Sequence, residues 1–155
     1  MKNFLQSFKY KFVPPYAFAL AVILEFTVYF TADTHILFGS YGVFFAFSFL
    51  IVGIVLIRWT FNELIRKKTN TNTFDTPQKL LTSGPFALSR NPIYFGYGTI
   101  LFGLTILIWH MVSAFIFLLF VLVLNHWYVR CEERNIRAKF GQEYCDYLLR
   151  VRRWL

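Results

Sequence analysis

The sequence predicts an all-α membrane protein: four transmembrane helices, the third and fourth forming a helical hairpin, then a cytoplasmic C-terminal helix. Three observations lead there. The composition is 57% hydrophobic, 21% aromatic and 15% charged, with mean hydropathy +0.49, whereas soluble domains carry roughly 25% charged and 45–50% apolar residues. Twenty phenylalanines are too many for the core of an 18.4 kDa soluble domain. Four apolar runs, at about 16–32, 41–61, 93–109 and 112–128, are each 17 to 21 residues long, enough to cross roughly 30 Å of hydrocarbon as helices. Finally, Lys and Arg gather on one set of flanks. The chain is expected to form one integral membrane domain over 1–155, with a loop at 62–92 and a tail at 129–155.

The first run follows Lys2, Lys9 and Lys11. A basic start and an apolar stretch resemble a secretory signal, but no small-residue cleavage site follows, so the run is expected to be retained. Glu25 falls in its middle, where a carboxylate is costly and usually paired or functional. Three readings stand: an ion pair with Arg58 of the second run, a group facing the substrate, or a protonated, buried acid. The loop carries Arg66, Lys67, Lys68, Lys79 and Arg90, and the tail carries Arg130, Arg134, Arg137, Lys139, Arg150, Arg152 and Arg153. The connections "DTHILFGS" and "HM" carry no Lys or Arg. The positive-inside rule therefore places both termini and the loop in the cytoplasm, in a cytoplasmic or inner membrane.

Those placements also explain the net charge of +8. Basic residues flank apolar runs, which suits anionic lipid and speaks against nucleic acid. Cys131 and Cys145 match no metal spacing and are read as reduced packing residues.

The loop is long for so small a protein, which marks it as functional or disordered. Leu80, Leu81, Phe86 and Leu88 argue that part of it packs down. In the tail, Ile136, Phe140, Tyr144, Tyr147, Leu148 and Val151 recur at three- and four-residue steps, giving a helix one apolar face, with a bend at Gly141. That face either lies on the membrane or folds over the loop and closes a site.

No zinc spacing, G-x-S-x-G or paired His/Cys pattern is present, and no metal site is expected. The "GYG" at Gly96–Gly98, with Gly103 beyond, lies inside an apolar run and suits close helix approach, or approach of a ligand to the backbone. What remains is a polar cluster. Arg90, Asn91, Pro92 and Tyr94 open the third run; Asn125, His126, Arg130, Glu132 and Glu133 close the fourth. In a hairpin these ends are neighbours. Pro92 keeps Asn91 out of the helix and suits its first turn, leaving free backbone N–H groups there. Glu132 and Glu133 offer carboxylates for an ammonium or ribose hydroxyls. Ordinary pairing of Glu133 with Arg137 and Arg130 is the competing role. His126, seven residues before Glu133, is either an interfacial histidine or part of the same cluster.

"LLTSGPFALSRNPIYFG" and "EERNIRAKFGQEYCDYLLRVRRW" together resemble the paired motifs of the isoprenylcysteine carboxyl methyltransferase and phospholipid methyltransferase superfamily, over about residues 75–155. Arg90, Pro92 and Tyr94 match an Arg-His-Pro-x-Tyr pattern in which Asn91 replaces histidine. Glu132, Glu133, Phe140, Gly141 and Tyr144 match the second motif. The resemblance implies S-adenosylmethionine as cofactor, with Gly84, Pro85, Phe86, Asn91, Pro92 and Tyr94 toward its adenosine end and Glu132 and Glu133 on its amino group or ribose. It implies a lipid or lipophilic acceptor, methylated on a carboxyl or an amine. Glu133 or His126 would take a proton from an amine; Arg90 or Arg137 would hold an anionic acceptor; Glu25 belongs to the acceptor half. Two alternatives are an NADPH-dependent membrane reductase of the sterol reductase type and a non-catalytic lipid-binding protein.

Overall fold

The computed structural model describes residues 14–32, 39–68 and 79–155. The basic N-terminal tail with Lys2, Lys9 and Lys11, most of the first connection and residues 69–78 lie outside the described residues. The described chain is helical: α1 Pro14–Thr31, α2 Gly39–Arg66, a 3₁₀ turn Gly84–Ala87, α3 Pro92–Ile108, α4 Met111–Val123, a π-helical turn Leu124–Val129, α5 Arg130–Phe140 and α6 Gln142–Arg150. Three stretches are long and apolar enough to cross a bilayer: Pro14–Thr31, Tyr41–Arg66 and Met111–Phe140. The fourth apolar helix, Pro92–Ile108, is shorter at 17 residues.

Each boundary has a local cause. Pro92 stands at the first turn of α3, where its missing N–H costs nothing. That helix ends at Trp109, which adopts a left-handed conformation (φ 47°) and returns its N–H to the Thr105 carbonyl. His110 then caps α4 by accepting the Val112 N–H on its side chain. α4, the π turn and α5 run as one 30-residue helix. Gly141 (φ 54°) breaks it before α6, a conformation that suits glycine.

The helices meet through small residues and aromatic rings. α2 and α3 pack backbone against backbone: a Cβ added to Gly53 would sit 2.8 Å from the Gly96 carbonyl oxygen, and one on Gly103 2.8 Å from that of Ala46. Phe18 of α1 stacks on Tyr97 of α3 at 4.5 Å between centroids, and Phe102 of α3 contacts Phe49 of α2 and Phe117 of α4. Tyr94, Leu101, Phe120 and Leu124 are buried where α1, α3 and α4 converge. Outside this core the apolar side chains face outward; Phe30 is 78% and Met111 86% exposed. In water such a surface would aggregate, whereas in hydrocarbon it is the expected exterior.

Glu25 is fully buried between three helices. Its carboxyl group accepts hydrogen bonds from Thr105 Oγ1 of α3 (3.1 Å) and Ser113 Oγ of α4. Of the three readings of Glu25, the ion pair with Arg58 is corrected here: Arg58 is exposed, and two hydroxyls satisfy the acid instead. Hydroxyls suit the position better, because they supply donors without burying a second charge.

The apolar face of the tail folds over the loop. Tyr144, Tyr147 and Val151 are buried against Ile136, Phe140, Leu148 and Leu80, and the Tyr147 hydroxyl donates to the Phe86 carbonyl at 2.6 Å. Leu88, by contrast, is 53% exposed and does not pack down. Burial raises the Tyr144 hydroxyl to about 12, reinforced by the Glu133 carboxylate; burial likewise raises Tyr147 to about 12. Between about pH 10, where an unfolded tyrosine ionises, and pH 12, the folded state holds more protons than the unfolded one. Stability is therefore expected to fall as pH rises through that window. Melting of the detergent-purified protein at pH 8, 10 and 11 checks this; Tyr147→Phe should cost about 1 kcal/mol at pH 8 and flatten the alkaline decline.

Candidate active site

The site lies where the start of α3, the end of α4 and the last residues of the chain meet. The π turn spans Leu124–Val129 and so contains Asn125 and His126. A turn of this kind widens the helix and re-aims side chains, and is frequent at functional sites. Nothing in the composition of "LNHWYV" announces it.

Tyr94 is buried, its ring lining an apolar cavity of about 370 Å³ together with Gly98, Phe102, Leu124 and Trp154. Its hydroxyl donates to the half-buried carboxylate of Glu132. One residue further, Glu133 faces a polar cavity of about 590 Å³ lined also by His126, Arg130, Arg134, Arg137 and Arg153. The two glutamates therefore do different things.

Glu133 is taken by two guanidiniums. Arg153 donates to it through Nε (3.2 Å) and Nη2 (2.7 Å), a bidentate pair, while its Nη1 reaches Asn125 Oδ1 at 3.2 Å. Arg90 Nη1 lies 3.3 Å from the same carboxylate. The competing role for Glu133, pairing with Arg137 or Arg130 on its own helix, is thus corrected. The physical reason is geometric: Arg90 and Arg153 approach from other elements and take both oxygens, and both are more sheltered from water than the exposed Arg130 and Arg137.

Asn91 is buried, and its side chain makes no cap bond. Its Nδ2 donates to the Arg153 carbonyl at 3.3 Å, beside Ser89 Oγ donating to the same oxygen at 3.1 Å. The Arg90 N–H donates to the Arg152 carbonyl at 3.1 Å. Residues 89–91 therefore fasten the chain's last residues over the site, and an amide serves there because the task is donation to a carbonyl. Arg153 and Ser89 escaped the sequence reading. The only available signal was the run of arginines at 150–153, which read as a basic flank.

Among the expected site residues, Arg90, Asn91, Tyr94, Glu132, Glu133 and His126 come together, with Pro92 buried at the head of α3. Gly84 and Phe86 of the 3₁₀ turn are held by other contacts. A Cβ on Gly84 would meet the Glu63 side chain at 3.3 Å, Ser83 Oγ donates to Glu63 Oε1 at 2.9 Å, and Tyr147 takes the Phe86 carbonyl. His126 is exposed, with Nδ1 3.1 Å from the Leu122 carbonyl. Arg137 lines the polar cavity, whereas Glu25 lies in the helix core. Among the described residues, no group of three His, Cys, Asp or Glu is placed to hold a metal ion.

A bundle of apolar helices with a polar cluster at the ends of α3 and α4 is the architecture of an integral membrane protein. The chain belongs to the phospholipid methyltransferase family, whose model matches residues 41–143. A 38-residue stretch is 45% identical to an uncharacterized protein of Haemophilus influenzae, covering 24% of this chain and 60% of that relative. The chain thus spans less than two thirds of the length of the curated relative it matches. No solved structure matches.

Proposed function

We propose that this protein is an S-adenosylmethionine-dependent methyltransferase that methylates a lipid or lipophilic acceptor at the cytoplasmic face of the membrane. In this reading it has four spans, with α3 and α4 as a hairpin and both termini cytoplasmic. Tyr94 is the observation that carries it. Its ring lines an apolar cavity suited to a hydrocarbon chain, and its hydroxyl binds the Glu132 carboxylate, next in the chain to the Glu133 that lines the polar cavity. A polar donor and a lipophilic acceptor must meet at such a junction.

The residues present fit the cofactor. Glu132 has Tyr94 as its hydrogen-bonding side chain, leaving acceptor capacity for an ammonium or ribose hydroxyls. Arg90 Nε is buried with no hydrogen-bond partner among the described residues, a donor that a bound oxygen would satisfy. When bound, the cofactor supplies an electrophilic sulfonium methyl, so the chain's tasks are alignment and exclusion of water. Glu132 holds the cofactor's amino group or ribose and Tyr94 fixes that carboxylate. Glu133 neutralises Arg90 and Arg153 and fastens the covering tail, and Trp154 closes the apolar cavity beside Tyr94. An amine acceptor would need a base; with Glu132 engaged by the cofactor, His126, which lines the polar cavity, is the remaining candidate.

Calorimetry with S-adenosylhomocysteine on the purified protein tests the reading. Binding is expected, and Tyr94→Phe should weaken it several-fold by freeing the Glu132 carboxylate. No binding by the wild type rejects the cofactor assignment, and saturable NADPH binding instead would favour the reductase class.

A further inference from the structure

The outer part of the site holds more positive charge than the cofactor reading uses. His126, Arg130, Arg134 and Arg137 recur at steps of three and four along the continuous helix, so they share one side of it, and all four line the polar cavity. A helix bearing Arg130, Glu133 and Arg137 would ordinarily neutralise itself through the glutamate. Here Arg90 and Arg153 occupy both Glu133 oxygens. None of Arg130, Arg134 and Arg137 has an ion-pair partner among the described residues. Arg134 Nε is turned back onto the Arg130 carbonyl at 3.2 Å, which holds one guanidinium against the helix beside the next. The spacings Arg130–Arg134 and Arg134–Arg137 are those at which like charges repel.

Four arginines against one glutamate line this cavity. Such a surplus calls for an anion with several acceptor oxygens, and guanidinium forks suit phosphate geometry. Position narrows the source. His126 belongs to the last turn of the apolar run, so the cavity begins at headgroup depth and extends outward along α5. The surplus also repels a headgroup carrying its own ammonium. We propose that Arg130, Arg134 and Arg137 form a binding site for the phosphate of an anionic membrane lipid whose headgroup has no cation, a lipid distinct from any amine acceptor. Arg137 is thereby assigned to this lipid. The proposal needs the membrane placement and not the methyltransferase reading.

Native mass spectrometry of the detergent-purified protein, given equimolar phosphatidylglycerol and phosphatidylcholine of the same acyl chains, tests it. The wild type is expected to retain phosphatidylglycerol about tenfold over phosphatidylcholine. Arg130→Gln/Arg134→Gln/Arg137→Gln should lose that preference. All three positions are exposed, so the variant should fold, which its melting curve checks; the single Arg134→Glu serves if it does not. Lys67→Gln/Lys68→Gln/Lys79→Gln, which removes as much charge from another exposed flank, should keep the preference; equal loss would reduce the effect to general surface charge and overturn the site. Absence of preference in the wild type overturns it as well. Binding of inorganic phosphate alone, with the same arginine dependence, would assign the site to a free anion, and displacement of the lipid by S-adenosylhomocysteine would assign it to the donor's carboxylate. Either result overturns the lipid.

Discussion

Glu132→Ala is expected to weaken S-adenosylhomocysteine binding about 10- to 100-fold and to remove methyl transfer at working cofactor concentration. The magnitude follows from the loss of hydrogen bonds to a charged group, each about 1.5–3 kcal/mol. The alanine also strands the buried Tyr94 hydroxyl, whose acceptor is this carboxylate. Glu132→Gln separates the two effects: the amide oxygen still accepts from Tyr94 while the charge is gone. If charge holds the cofactor's amino group, Glu132→Gln should bind nearly as poorly as Glu132→Ala while melting close to the wild type. Glu133→Ala should behave differently. It releases Arg90 and Arg153 together, so it should loosen residues 152–155 and lower the melting temperature. Hydrogen exchange at the C-terminus is the measurement that separates the two glutamates.

Gly96→Leu is expected to give the largest structural effect. A Cβ at Gly96 would stand 2.5 Å from Ile57 Cγ1 and 3.1 Å from the Gly53 carbonyl oxygen, and a backbone oxygen cannot move aside cheaply. Overpacking typically costs about 1–3 kcal/mol, and the further branches of leucine place this variant at the upper end. The purified variant should melt well below the wild type or fail to remain monodisperse in detergent. Gly98 is the control, because a Cβ there meets nothing within 4 Å. Gly98→Ala should leave the melting temperature unchanged and, since Gly98 lines the apolar cavity, act on acceptor use instead. The two glycines look equivalent in "GYG", yet they serve different ends.

Features with a local cause were legible in the sequence. Apolar run length gave the helices, Pro92 the head of α3, and Gly141 the break before α6. The tail's apolar periodicity gave its buried face. Partner choice was not legible. For Glu133 the sequence offered Arg130 and Arg137 on the same helix, whereas its strongest partner, Arg153, lies 20 residues away and arrives only after the chain turns at Gly141. For Glu25 the sequence offered a cation, whereas Thr105 and Ser113 lie 80 and 88 residues away. Hydroxyls are common and raise no flag in a run of apolar residues. The π turn escaped for a similar reason, since an extra residue in a helical turn leaves the local composition unchanged. Asn91 was marked as a departure from histidine; in the fold its amide donates to the Arg153 carbonyl.

In the proposed function, Tyr94 and Glu132 join a cofactor site to an acceptor cavity. Incubating the purified protein with methyl-labelled S-adenosylmethionine and a native lipid extract, followed by mass spectrometry of the lipid fraction, tests it most directly. The predicted result is one labelled lipid class, lost in Glu132→Ala and reduced in Tyr94→Phe while both variants remain folded. Labelling that is unchanged in Glu132→Ala, or no labelled lipid from a wild type that also fails to bind S-adenosylhomocysteine, would contradict it.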